Sequence, residues 1–443
     1  MNKAARDIVF SAFLFACLLL GGASREGFPS NYLLQVLGAG FVCWGLYHLK
    51  WRGLSRFERL LLLLAGLGLA IVIVQFLPLP TAVWRDLPGR ASIAAELQML
   101  DALPDPGFVS LSIHESLASV VWLLPAAGLA LAVLAARKLP DLAIAFTIIA
   151  GALLSIAVGV AQFLGGSEAP WYFYDFTNRG FMVGFFANAN HMATLLLVSL
   201  PFIAALVREG RERMPKHRQE FTVLGLALFG FVVIGVGLVG SGTGYALLAP
   251  VTLASALIVW TPSRRVAAAL VVPVLIVSGA LITLIGGSDN VFASEASASI
   301  DGREEIGETI TPAALAFFPV GSGLGTFEEI YRRYEDPDTV STTFIAHAHN
   351  DYLELVLELG AAGAALIILF LLWWLYGLAR LVRAGDAPFG WAGWIAVGVI
   401  LTHSAWDYPL RTAALSAVFA VSCVLLARSV STRGWATRIT EAH

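Results

Sequence analysis

The sequence predicts an all-α integral membrane protein of about twelve transmembrane helices, with a helical extracytoplasmic cap between spans 9 and 10. Hydrophobic residues make up 58% of the 443 residues and charged residues only 13%. Apolar runs of bilayer-spanning length recur along the chain. Between them, lysine and arginine gather in alternate short breaks, as they do in cytoplasmic loops.

The apolar runs lie near 8–24, 32–49, 59–77, 116–136, 141–164, 191–208, 221–239, 244–260, 266–286, 350–379, 389–406 and 409–427. The first has the basic start and apolar core of a signal peptide, but it is flanked like the others and is expected to remain as the first span. Twenty of the 28 basic residues fall on one side, which puts both termini in the cytoplasm. The remaining eight, Arg25, Arg85, Arg90, Arg179, Arg303, Arg332, Arg333 and Arg411, belong to the outer side. A net charge of −3 and scattered basic residues exclude a nucleic-acid partner. Cys17, Cys43 and Cys423 all sit in apolar runs, so they form neither a disulfide framework nor a thiolate metal site. No tandem repeat divides the chain, so residues 1–443 read as one polytopic domain.

Three longer outer segments, 78–115, 165–190 and 287–349, are where a site is expected. The first holds Ala91 to Leu103, either an amphipathic interfacial helix or a packing element. The second carries Trp171-Tyr-Phe-Tyr-Asp-Phe176, either an interfacial aromatic belt or a platform for sugar rings. The third, the cap, predicts a helix from Gly302 to Phe317 and another from Thr326 to Tyr334. Between them, Gly321, Gly323 and Gly325 are spaced as in a phosphate-cradling loop, without the strand and lysine such a loop needs.

The stretch from His347 to Gly363 sets two histidines and three carboxylates at the mouth of an apolar helix. His349 can exchange protons near neutral pH. Asp351, Glu354 and Glu358 share one helical face, and Glu358 lies roughly 14 Å along the helix from His349 at 1.5 Å per residue. A carboxylate that deep calls for a partner or a polar cavity. His347, His349 and Asp351 could also ligate a metal, but their spacing matches no strong zinc pattern. Gly360 and Gly363 are expected to permit close helix packing.

Arg179 and Arg303 offer planar donor forks that can bracket a diphosphate, against the plainer expectation of local pairing with Asp175 or Glu304. In the last outer turn, His403 and Asp407 are four residues apart and can pair, while Arg411 can join an anion pocket.

These residues resemble the O-antigen ligase superfamily, which includes O-antigen ligases and related polysaccharide polymerases. Its pattern of His, then Asn, Ser or Gln, nine residues, Gly, two residues, and Gly, Thr or Tyr is met by His349, Asn350, Gly360 and Gly363. Arg179 through Asn188-Ala-Asn190-His191 resembles its first arginine stretch, and Gly302-Arg303 with Pro319 to Phe327 resembles its second. In detail the resemblance covers residues 175–380.

The resemblance implies a GT-C-like glycosyltransferase in the bacterial inner membrane, with its site on the periplasmic side and no metal or other cofactor. It implies a glycan donor on undecaprenyl diphosphate, held by Arg179 and Arg303, and His349 as the catalytic group acting on an acceptor hydroxyl with inversion. Asn350, Asp351, His347, Asn190, Glu358, Asp407 and Arg411 are the candidates for orienting the acceptor. That acceptor is lipid A core for a ligase or a growing chain for an O-antigen, capsule or exopolysaccharide polymerase. The His347-Ala-His349 doublet and the His403 to Arg411 turn depart from the ligase pattern and leave both open. A lipid-linked glycan transporter is the competing class, since twelve spans and Glu358 would serve it too.

Overall fold

The computed structural model describes residues 3–25, 27–136, 140–260, 291–338, 340 and 345–430. Among them 76% are helical, and the sheet is a two-residue antiparallel pair, Pro78–Leu79 against Gly107–Phe108.

Seven helices among the described residues are long and apolar enough to cross a membrane. They are Arg56–Gln75, Ile113–Ala135, Asp141–Glu168, Ala189–Arg213, Pro215–Val239, Gly242–Trp260 and Asp351–Ala384. Helices Lys3–Leu20, Pro29–His48, Pro388–His403 and Ala413–Ser429 occupy four more of the twelve expected positions. These four fall short for visible reasons. The first begins with Lys3, Arg6 and Asp7, the second carries Asn31 and Gln35, and the last two have only 16 and 17 residues. At 1.5 Å per residue a 16-residue helix is about 24 Å long, less than the hydrocarbon thickness. The expected span 266–286 lies outside the described residues.

The Ala189–Arg213 helix is the central post, with 83% of its apolar window buried. It packs against Arg218–Val239, Gly242–Trp260, Pro388–His403 and Asp141–Gly165. Asn188 caps it by accepting from the Asn190 amide at 2.9 Å, which fixes the Asn188–His191 turn at the start of this helix. The Asp351–Ala384 helix is tied to Pro388–His403 by stacked Trp374 and Trp394, whose indole N–H groups each donate to the other's carbonyl at 3.1 Å.

In the segment read as a cap, the first helix begins before the expected Gly302. The segment's helices run Val291–Phe317 and Phe327–Tyr334, and Ile306, Ile310, Phe317, Phe327 and Ile330 make its core with Leu357 of the long helix. Helix Ala91–Met99 packs Ile93 against that core, and its Glu96 pairs with Arg333.

One expectation is corrected. Gly360 is not a packing position in a continuous helix but a break, with φ +59° and ψ −138°. The carbonyls freed on its N-terminal side are capped by the glycine loop, Ser322 N–H to Leu357 O and Gly323 N–H to Glu358 O, both at 3.0 Å. Gln75 adds its amide to Glu358 O at 2.9 Å. A Cβ at Gly360 would overlap the Pro319 carbonyl oxygen. Gly360→Ala should therefore destabilise the fold by at least about 2 kcal/mol, from a backbone region closed to side chains plus overpacking. Thermal unfolding in detergent checks this, and an unchanged melting temperature would contradict the break.

Candidate active site

Asp407 lies in the turn that follows Pro388–His403 and has no solvent exposure. A carboxylate withdrawn from water needs donors or cations. Asn190 Nδ2 donates to its Oδ2 at 2.7 Å, and the Tyr408 amide donates to Oδ1 at 2.9 Å. Asn188 Nδ2 approaches both oxygens at 3.4 and 3.5 Å. Arg303 Nη2 is 3.8 Å from Oδ2; His349 Nδ1 and His191 Nε2 face Oδ1 at 3.5 and 3.7 Å. Burial works to raise the pKa of Asp407, but the imidazoles of His191 and His349 outweigh it and hold the carboxyl well below the usual range. Asp407 is thus a fixed anion.

His349 is one of two non-glycine residues with positive φ among those described, at +49°. That strained backbone turns the chain just before the helix, so that the ring can meet Asp407 while its side chain stays 26% exposed. Nδ1 faces the carboxylate and Nε2 lies on the far edge of the ring; with the proton on Nδ1, Nε2 is the nitrogen left with the lone pair. Tyr408 packs against His347, His349 and His191 at ring distances of 4.6, 4.7 and 5.0 Å.

Asn350 does not point its carbonyl oxygen at a ligand. It caps the Asp351–Ala384 helix, accepting from Tyr352 and Leu353 amides at 3.0 Å. Asn190 is held from both ends, donating to Asp407 while its Oδ1 accepts from Ser241 at 2.6 Å.

Arg411 is the opposite of Asp407, a cation among anions. It lies 3.7 Å from Asp351, 3.3 Å from Glu354 and 3.1 Å from Glu358. The three carboxylates do share one face. Each has further donors: Ser404 to Asp351 at 2.7 Å, His347 Nδ1 with Glu354 at 3.0 Å, and the Gly325 amide to Glu358 at 2.9 Å. Arg411 therefore joins a carboxylate cluster and not an anion pocket. Nor do Gly321, Gly323 and Gly325 cradle a phosphate, because their amides are spent on the Phe317 carbonyl, the Glu358 carbonyl and the Glu358 carboxylate.

Arg303 reaches the Asp407 cluster and Arg179 does not. The exposed Arg179 guanidinium bonds to Ser167 O at 3.1 Å and lies 5.3 Å over Tyr172. Its neighbour Asn178 accepts from the Ala189 amide at 3.0 Å, which fastens this loop beside the Asn188–Asn190 turn. His403 does not pair with Asp407 by hydrogen bond; its Nδ1 meets Thr194 Oγ1 at 2.8 Å. Among the described residues no group of three or more His, Cys, Asp and Glu is arranged to hold a metal, since His347, His349 and Asp351 turn to three different partners.

His191, Asn188, Tyr408 and Arg90 carry no role in the sequence reading. The only signal for the first two is their place in the Asn188-Ala-Asn190-His191 stretch. Arg90 is fully buried, donates to the Pro88, Val109 and Gly321 carbonyls, and is brought down to about 10 by desolvation. It fastens segment 78–115 to the glycine loop.

Arg411→Met should leave three carboxylates without their cation and cost about 3 kcal/mol or more of stability. Adding Glu358→Gln should restore part of it, read as the coupling in a double-mutant cycle by unfolding in detergent. No loss in the single variant would contradict the cluster's role.

Residues 227–368 match the family model described as O-antigen ligase. This supports the O-antigen ligase superfamily and an O-antigen ligase- or polymerase-like membrane protein. The match contains Arg303 and the whole His347 to Glu358 stretch; Asp407, His191 and Arg179 lie outside it. A search of curated proteins finds no match.

Proposed function

We propose that this O-antigen ligase-like membrane protein is an inverting glycosyltransferase. In this reading it moves a glycan from undecaprenyl diphosphate to an acceptor sugar hydroxyl on the periplasmic face of the inner membrane. The observation that carries it is the His349–Asp407–Arg303 group, an imidazole with an outward lone pair fixed by an ionised carboxylate that a guanidinium also faces.

The chemistry follows from that arrangement. His349 Nε2 takes the proton of the acceptor hydroxyl as its oxygen attacks the anomeric carbon. The bond from that carbon to the diphosphate oxygen breaks on the opposite face, and the diphosphate leaves with the electron pair. Asp407 stabilises the imidazolium that forms. Arg303 meets the growing charge on the diphosphate. Arg179, outside the Asp407 cluster and exposed at the edge of the same outer surface, is proposed as a second donor contact. A single displacement inverts the anomeric carbon, and a diphosphate is a good enough leaving group that no glycosyl-enzyme is required.

With purified protein and lipid-linked donor, His349→Ala should lower transfer by about 100-fold or more. Arg303→Lys keeps the charge but loses the fork, and should fall about tenfold. Undiminished transfer by the His349 variant would sink the reading. The acceptor is decided by surface polysaccharide in a deletion strain: single repeats on lipid A core identify a polymerase, and long unattached lipid-linked chains identify a ligase.

A further inference from the structure

We propose that His191 is a positioning residue that sets the basicity of His349 through the carboxylate they share. The proposal rests on the reading of His349 as the base. His191 Nε2 lies 3.7 Å from Asp407 Oδ1, the same oxygen that His349 Nδ1 faces at 3.5 Å. His191 is 1% exposed, and neither of its ring nitrogens has a hydrogen-bond partner. An imidazole so placed at the end of an apolar helix is costly unless its charge or its proton is used. Tyr408 and Phe186 meet its ring edge-on at 5.0 and 6.4 Å, and Nε2 lies toward the carboxylate.

The groups that face this pair come from every neighbouring element. The turn supplies Asp407 and Tyr408, Pro388–His403 supplies His403, the cap helix supplies Arg303, and the loop before Asp351 supplies His347 and His349. Asp407 Oδ2 holds Asn190 and Arg303, while Oδ1 takes the Tyr408 amide and is the oxygen that both imidazoles face. When both rings are neutral, each presents an N–H to that oxygen. A proton gained by either one draws on the same negative charge and makes the second proton harder to add, so the two titrate as a pair. The proton affinity of His349 is then a property of both histidines. Replacing His191 changes the base without touching substrate.

The pH dependence of kcat and KM tests this in detergent-purified protein given lipid diphosphate-linked glycan and saccharide acceptor. The variants are His191→Gln, whose amide nitrogen reaches the place of Nε2, and His191→Asn, whose amide falls near Nδ1. The acid limb of the wild type should show two steps. In His191→Gln it should collapse to one, with kcat near neutral pH kept within about threefold and KM unchanged, whereas His191→Asn should lose about tenfold in kcat. A His191→Gln profile that superimposes on the wild type, or equal rates in the two variants, would overturn the proposal, because a merely space-filling histidine predicts both. If neither variant folds, a single-proton acid limb in the wild type overturns it. His349→Ala, run in parallel, separates the two ideas: retained transfer there removes the base itself, while a dead His349 variant beside unshifted His191 variants removes only this inference.

Discussion

A carboxylate with no water around it must be surrounded by donors, and Asp407 draws them from four separate parts of the chain. Asn188, Asn190 and His191 come from the start of the central helix, Arg303 from the cap, His349 from the loop before Asp351, and the Tyr408 amide from its own turn. An ionised group left unpaired in such a place costs several kcal/mol, so the ring of donors closes only when all four parts are docked. The geometry around His349 therefore depends on the docking of all four parts. Its left-handed backbone, unfavourable by itself, is held by the same closure.

Four residues further on, Arg411 repeats the arrangement with the signs reversed. The short turn thus carries an anion among donors and cations and a cation among anions, and both clusters reach the stretch from His347 to Glu358. Glu354 joins the two, because it touches Arg411 and also holds His347, whose ring packs on Tyr408 beside His349. The division of labour has a chemical consequence. Arg411 is neutralised by carboxylates, whereas Arg303 approaches an anion that Asn190 already satisfies and so has donors to spare for a ligand.

Much of this is legible in the sequence because it depends on local pattern. Hydropathy locates the helices, and spacing alone puts Asp351, Glu354 and Glu358 on one face. His349 and Arg303 stand out as a proton-exchanging group at a helix mouth and a cation in an outer segment. What sequence does not reveal depends on distant partners. A glycine in an apolar helix reads as a packing residue, and only the amides of Ser322 and Gly323, far off in sequence, turn Gly360 into a break. The three glycines of that loop look like a phosphate cradle until the carbonyls that occupy their amides come into view. Asp407 and His403 suggest a helical pair, but the helix ends at His403, whose ring bonds to Thr194 while Asp407 accepts from Asn190. Arg179 has a motif like that of Arg303, and nothing in its neighbourhood foretells that it rests on Ser167 and Tyr172.

In the proposed reaction His349 and Asp407 act as a unit. A kinetic double-mutant cycle on the two, with transfer measured at saturating donor, tests that directly. If they act together, Asp407→Asn should slow the wild-type background by about 100-fold and the His349→Ala background hardly at all. Equal losses in both backgrounds would mean that Asp407 works apart from His349, and would contradict the account.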